Sequence, residues 1–215
     1  MTFQGILLRL RNFYLRKSAK RRRKKLKSEN FTIISNNCWG GLICESYGVQ
    51  KTSPTIGCYF VAEEYIKFLS NLRYYTQECE IKFVSPAEAK HKDYYRNDKT
   101  FGSYPIALIG DVEIAMLHYH SEEEAKEKWE RRCKRINFNK LLVKMNDQNE
   151  CNEEHLHKFC ELDFKNKLFF TVHKSWKKAD YVKIFKKKGP HINSLMEPFG
   201  KGYNNVNINN ILNSL

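Results

Sequence analysis

The chain has no run of apolar residues long enough to cross a bilayer, no Cys-x-x-Cys pair and no acidic residue before Glu29. Each absence removes a class. The stretch 5–8 is too short for the apolar segment of a secretory signal; Arg9 and Arg11 interrupt it, and no small-residue cleavage site follows. Seven cysteines (38, 44, 58, 79, 133, 151, 160) are scattered singly, mostly inside apolar runs, so neither a zinc ribbon nor a thioredoxin-like motif is expected. Reduced thiols in a cytosolic protein are the simpler reading. No P-loop, GxGxxG, GxSxG or HExxH occurs. Prolines and glycines are few (5 and 10), and no repeat or low-complexity linker follows Ser28, so the body reads as one globular unit.

What is present in excess is positive charge, and it is unevenly placed. Of 38 lysines and arginines, 11 lie in the first 28 residues, leaving 27 basic against 24 acidic residues in the body. The net charge of +14 therefore describes an arm more than a domain. At 100° per residue Phe3, Ile6, Leu7, Leu10, Phe13 and Tyr14 share one helical face, with Arg9 and Arg16 outside it. Such a helix, followed by the basic run 17–27 with Arg21, Arg22 and Arg23, suits the headgroup region of an anionic membrane. A disordered arm and a nucleic-acid tether use similar sequences. The near-balanced charge of the body argues against a nucleic-acid partner. The expected organisation is an arm at 1–28 and a domain at 29–215.

Within the domain, short β-branched or apolar runs alternate with helical periodicity. Strands are expected at 31–35, 55–60, 80–84, 105–110, 112–117, 141–145, 167–172 and 181–185. Helices are expected at 62–75, with an aromatic inner face; at 121–136, opened by Ser121 and three glutamates; after Asn152, with Leu156, Phe159 and Cys160 inward; and at 206–215. Gly110-Asp111 reads as a hairpin or bulge. The predicted class is a single three-layer α/β domain, a central mixed β-sheet flanked by helices, preceded by a basic amphipathic helix.

In open α/β sheets ligands bind beyond the carboxyl ends of the strands. Three polar clusters fall at expected strand ends: Ser35-Asn36-Asn37-Cys38, His118-Tyr119-His120 and Asn146-Asp147-Gln148-Asn149. Cys38 precedes Gly40 and Gly41, whose amides could face an oxyanion, and with His118 as base it is a candidate nucleophile. A cysteine beside a tryptophan at a strand end is more often simple packing. His118 and His120, on one face of a strand, could hold a metal with Asp111 or Asp147. A single substrate-binding or catalytic histidine is the alternative. Asp147 and Asn149 form an Asp-x-Asn, a weak relative of the Asp-x-Asp that holds a metal-nucleotide in many glycosyltransferases. Asp- and Asn-rich loops also bind sugar hydroxyls, or merely cap helices.

These same residues carry a resemblance. The segments IISNNCWGG at 33–41, SPTIG at 53–57 and YIKFL at 65–69 are followed by Pro105, LIGDVEI at 108–114, LHY at 117–119 and EEAKEKWERR at 123–132. RIN at 135–137 and KMNDQN at 144–149 complete the set, over roughly residues 29–190. In order and content they resemble the bacterial family called domain of unknown function 1919, whose members are labelled exopolysaccharide or capsule biosynthesis proteins. The resemblance implies an α/β fold and a cytoplasmic role in surface-polysaccharide assembly. In that family a histidine often stands where this chain has Ala115, which disfavours a two-histidine arrangement here and leaves His118 as the single candidate.

The expected function is a transferase, glycosyl or acyl, at the inner membrane face, acting on a saccharide or lipid-linked saccharide. Catalysis would fall to His118, Asp147 and Cys38, and substrate binding to Asn36, Asn37, Gly40, Gly41, Asp111 and Asn149. Phe3, Leu7, Arg9, Leu10, Phe13 and Arg21–Arg23 would bind the membrane. The cofactor is not set by the sequence; a divalent cation is expected if the transfer is glycosyl. Hydrolysis of the same material and a non-enzymatic saccharide-binding or scaffold role are the competing readings. Oligomeric state is not legible.

Overall fold

The run TIIS is buried at every position, and so are LLVKMN and the last four residues of KLFFT. Continuous burial without alternation marks strands covered on both faces, as parallel strands are. In the computed structural model, which describes residues 6, 10, 13–15, 17–186, 189–192, 197–198 and 206–215, these segments are β1 (Thr32–Ser35), β5 (Leu141–Asn146) and β6 (Lys167–Thr171). With β7 (Val182–Ile184) they form an all-parallel sheet in the order β1-β5-β6-β7.

Period-two geometry sends alternate side chains to opposite faces. Ile33, Leu142, Leu168 and Phe170 pack with α2 (Trp39–Tyr47) and α8 (Ile208–Asn213). Ile34, Val143, Met145 and Phe169 pack on the other side with α3 (Ala62–Ser70), α6 (Glu122–Cys133) and α7 (Glu153–Glu161). The long β1-to-β5 connection also holds α4 (Leu72–Gln77), α5 (Lys92–Tyr95) and a second, antiparallel sheet, β2 (Ile81–Val84), β3 (Ile106–Ile109) and β4 (Val112–Ala115). Ile109, Val112 and Ile114 of that sheet enter the same core as Val143 and Phe169. The α/β architecture is thus present, with its parallel and antiparallel pairing in two sheets that share a core.

Local chemistry accounts for most elements. Ile109 pairs with Val112 across the two-residue turn Gly110-Asp111, and Gly110 has φ +59°, where a side chain would be strained and would meet Cys79 Sγ at 3.1 Å. The Ser121 side chain accepts the Glu124 amide to start α6, and Asn152 with His155 forms the reciprocal cap of α7. Two expectations differ. Residues 55–60 form no strand: the chain turns after Pro54, and Tyr59 alone bridges to Ala115. The helix expected at 62–75 breaks at Asn71 (φ −140°, ψ 50°) into α3 and α4.

The basic segment is divided. Ile6, Leu10, Phe13, Tyr14 and Leu15 are helical, and all but Leu15 are exposed; Phe3, Leu7 and Arg9 lie outside the described residues. From Lys17 on, the chain is docked. Helix α1 (Ala19–Arg23) packs on α2. Arg22 donates to the carbonyl of Ser46 (2.7 Å) and to that of Leu15, and Arg23 pairs with Glu29. Asn213 bonds both Lys25 O and Lys27 N. Arg21 remains exposed. No helix among the described residues is long and apolar enough to cross a membrane.

A buried acid cluster ties α3 to the segment before β3. Glu64 is fully buried; it accepts the Glu113 amide (2.9 Å) and Lys90 Nζ (2.6 Å) and lies 3.0 Å from His91 Nε2. Glu113 in turn accepts the amides of Lys90 and His91. Burial pushes the Glu64 carboxyl up, but the bonds from His91, Lys90 and the Glu113 amide outweigh it and hold its pKa at about 2 rather than 4.5. A depressed folded-state pKa contributes stability above the unfolded value and loses it as pH falls through the folded one. Glu64→Gln should therefore cost about 2–3 kcal/mol at pH 7. Between pH 5 and 2 the wild-type melting temperature should fall more steeply than the variant's; parallel curves would show that Glu64 does not carry this linkage.

Candidate functional site

Three chain segments meet beyond the carboxyl ends of β1 and β5, and a buried ion pair fixes them. Lys144, on β5, is 0% exposed, and its ammonium pairs with Glu197 from the C-terminal segment. It also donates to Asn37 Oδ1 (3.1 Å) and lies 5.8 Å from the Trp39 ring and 5.4 Å from the Phe170 ring. Asn36 donates to Asn146 Oδ1 (2.8 Å), and Asn146 donates to Glu197 and to Gln148 (both 2.8 Å). Asn37 donates to the second Glu197 oxygen at 3.1 Å. Burial lowers the Lys144 ammonium's pKa and the Glu197 charge opposes it. Every polar atom of this layer that the strands bury is thus paired with another.

Two clefts open above that layer and share Cys38. One, of about 260 Å³, is lined by Gly41, Glu45, Lys51, Ile56, His118, Tyr119, Lys128 and Arg132. The other, of about 340 Å³, is lined by Asn37, Tyr59, Tyr94, Asn97, Asp98, Leu117, Gln148 and Asn149. The first is rich in cations and the second in amides and tyrosines. A larger pocket, about 420 Å³, lies at the opposite, amino ends of the strands and is lined by Arg73, Phe138 and Asn166 among others. We place the site at the carboxyl ends because polar groups from separate segments converge there.

The candidate residues fall into different places. His118 is exposed in the basic cleft, in the turn after β4; partial burial lowers its pKa, favouring the neutral imidazole. Cys38 lies between the clefts, but burial, with the Glu197 charge, pushes its thiol up to about 11. A thiol so raised is protonated at neutral pH, which speaks against a thiolate nucleophile. Asn37 and Asn149 face the amide-rich cleft, and Asn36 lies beneath it in the buried layer. Asn149 has φ +59° and is held there by Phe60 O (2.9 Å) and the Tyr94 hydroxyl (3.1 Å).

Asp147 is placed otherwise than expected. It is buried, its two oxygens accept the amides of Val172 (2.8 Å) and Ile192 (2.7 Å), and it lines neither cleft. Its carboxylate joins strand ends instead of facing a donor phosphate. Asp111 sits in the β3–β4 turn, bonded to Tyr75 (2.8 Å) and Lys67 (3.3 Å), away from both clefts. Gly40 donates its amide to Ser35 Oγ (3.1 Å), so that amide is not free for an oxyanion. A Cβ at Gly40 would lie 3.1 Å from Ile33 O, and one at Gly41 2.9 Å from Ile56, so both glycines are needed for packing α2 against β1 and the 53–57 turn. Gly41 also lines the basic cleft. His118 and His120 are in a turn, not on a strand face, with Tyr119 buried between them. No group of three or more metal-ligating residues occurs among the described residues.

Sequence reasoning missed Lys144, Glu197, Arg132 and the two tyrosines. Lys144 had a signal, a lone charge inside the apolar run LLVKM. So did Arg132, which lies seven residues from Ala125 and three from Trp129 on the buried stripe of α6. Glu197 is distant in sequence and gives no local sign.

Fold and site together define an α/β protein with two adjoining clefts at the carboxyl ends of a parallel sheet. The family model described as "Domain of unknown function (DUF1919)" matches residues 10–213, and the chain belongs to that family. It is similar to a Haemophilus influenzae protein described as "Uncharacterized protein", 33% identical over 168 residues that span 77% of this chain and 74% of that one.

The ion pair makes a stability prediction. Lys144→Met or Glu197→Leu alone leaves one buried charge unpaired and should cost about 3–5 kcal/mol in denaturant unfolding. The double replacement should cost clearly less than the sum of the two. Strict additivity would mean that the two charges are not coupled.

Proposed function

We propose that this protein is a transferase that acts on a saccharide, with His118 as the general base toward an acceptor hydroxyl. The observation that carries the reading is the pairing of clefts at Cys38. Tyr59 and Tyr94 offer aromatic edges and faces, while Asn97, Asp98 and Gln148 line the same cleft with the mixed donors and acceptors that a polyol needs. Beside them stands an exposed imidazole whose pKa partial burial lowers, a shift toward the neutral form in which a histidine accepts a proton. It would take the acceptor hydroxyl's proton as that oxygen bonds to the transferred group and the group's bond to the donor breaks, the leaving group departing with the electron pair. Asp98, not Asp147, is the carboxylate that faces the saccharide cleft. The polysaccharide-assembly role that the resemblance implies is consistent with this chemistry.

We further propose that the protein works at an anionic membrane surface through its first turns, where Ile6, Leu10, Phe13 and Tyr14 are exposed. Arg22 is occupied within the protein and Arg23 pairs with Glu29 at the surface, while Lys17, Lys20, Arg21, Lys24, Lys25 and Lys27 stay exposed and would join the first turns in the contact.

Two measurements test these readings. In a screen of nucleotide-linked and acyl donors with saccharide acceptors, one donor class should be turned over, and His118→Gln should lower kcat about 10²–10⁴-fold with an unchanged melting temperature. Binding of finished polysaccharide without any turnover would favour the non-enzymatic role and end the transferase reading. In flotation with vesicles containing anionic lipid, the full chain should rise and protein lacking residues 1–16 should not. Equal flotation would remove the membrane proposal.

A further inference from the structure

A buried guanidinium without a carboxylate partner is the feature of the basic cleft that the transfer chemistry does not use. Arg132 is 8% exposed. Through Nη1 it donates to Ile56 O (3.0 Å) and the Tyr119 hydroxyl (2.6 Å), and among the described residues no carboxylate pairs with it. Both partners are neutral oxygens, so its charge is uncompensated where the protein shields it from water. That is costly unless an anion arrives. The rest of its guanidinium belongs to the cleft wall, since no nitrogen of Arg132 is among the fully buried atoms left without a partner.

The neighbours point the same way. Lys51 and Lys128 line the same cleft. Lys51 is balanced by Glu45 at 2.7 Å and Lys128 by Glu124 across one turn of α6, so each brings a donor without adding large net charge. Gly41, in the first turn of α2, also lines the cleft, and its backbone approaches closely because it has no side chain. A forked guanidinium, two ammonium groups and His118 around one small cavity match the several oxygens of a phosphate better than the two of a carboxylate.

We propose that the basic cleft is a phosphate subsite, with Arg132 as the anchoring cation, that holds the phosphate or pyrophosphate of a phosphorylated saccharide donor. The inference rests on the saccharide reading for its donor but not for the anion. The cleft adjoins the amide-rich one at Cys38, so a phosphate against Arg132 would leave the attached sugar beside Tyr59 and Tyr94. Donors of this class carry their leaving group as a phosphate, which the site would hold while the sugar is transferred.

Calorimetric titration of the full chain with pyrophosphate, at constant ionic strength in chloride, tests the anion site. One saturable site is expected. Arg132→Gln should weaken it at least about tenfold, and Lys51→Ala and Lys128→Ala each about three- to tenfold. Lys134→Ala, exposed beyond the end of α6, should leave it unchanged. Should Arg132→Gln fail to fold, the two lysine variants decide. No saturable binding, unchanged affinity in both lysine variants, or an equal loss in Lys134→Ala would overturn the proposal. Parallel titrations with inorganic phosphate, a sugar 1-phosphate and a nucleoside diphosphate identify which bearer of the phosphate fits best. If a free saccharide binds and none of these anions does, the phosphate subsite fails and the saccharide reading stands. If pyrophosphate binds as described and no donor is turned over, the subsite stands and the transferase reading fails.

Discussion

The arrangement of the strand ends depends on one buried ion pair. Lys144 and Glu197 are both withdrawn from water, one on the second strand of the parallel sheet and the other in a distant C-terminal segment. Neither would be tolerated alone in such surroundings. Their pairing determines where Asn36, Asn37, Asn146 and Gln148 direct their amides, because each of these satisfies the pair or another member of the group. An apolar replacement could supply comparable stability. It could not orient the amides, and that is the part of the network on which a binding cleft relies.

From that base the two clefts follow with different supports. The amide-rich cleft has Asn37 and Gln148 on one side, fixed by the ion pair. On the other it has Tyr94, Asn97 and Asp98, carried by a segment that Glu64 and Glu113 tie to α3 and β4. The basic cleft is supported from α6, whose capped start and apolar stripe bring Arg132 under the 53–57 turn. Asp147 has a related task, joining the end of β5 to Val172 and Ile192. Its carboxylate is a brace and lines neither cavity.

Much of this was legible in the sequence, and the part that was not has a physical reason. Strong periodicity and side-chain caps located α6, α7 and the β-hairpin at Gly110-Asp111, because those signals act between neighbours in the chain. The α/β class followed from the alternation of such elements, whereas the division into two sheets depends on long-range pairing that no local pattern encodes. Cys38, His118, Asn37 and Asn149 were correctly placed near strand ends, since polar residues after an apolar strand run are visible locally. Asp147 looked equally suitable, and only its backbone partners, 25 and 45 residues away, reveal its structural use. Arg132 stands among the basic residues at the end of α6, where a charge is ordinary, and only its place on the apolar stripe marks it. The basic arm likewise needed the fold, which docks its backbone from Lys17 on and takes Arg22 into internal contacts while most of the other basic side chains stay exposed.

The proposed function and the phosphate subsite together require an anion and a saccharide to share one continuous site above the Lys144–Glu197 layer. A crystal structure of the full chain grown with a nucleoside diphosphate sugar tests it most directly. The diphosphate is expected against Arg132 and Lys51, with the sugar ring between Tyr94 and the Gln148 amide. Ligand bound instead at the amino ends of the strands, in the pocket of Arg73 and Phe138, would contradict it.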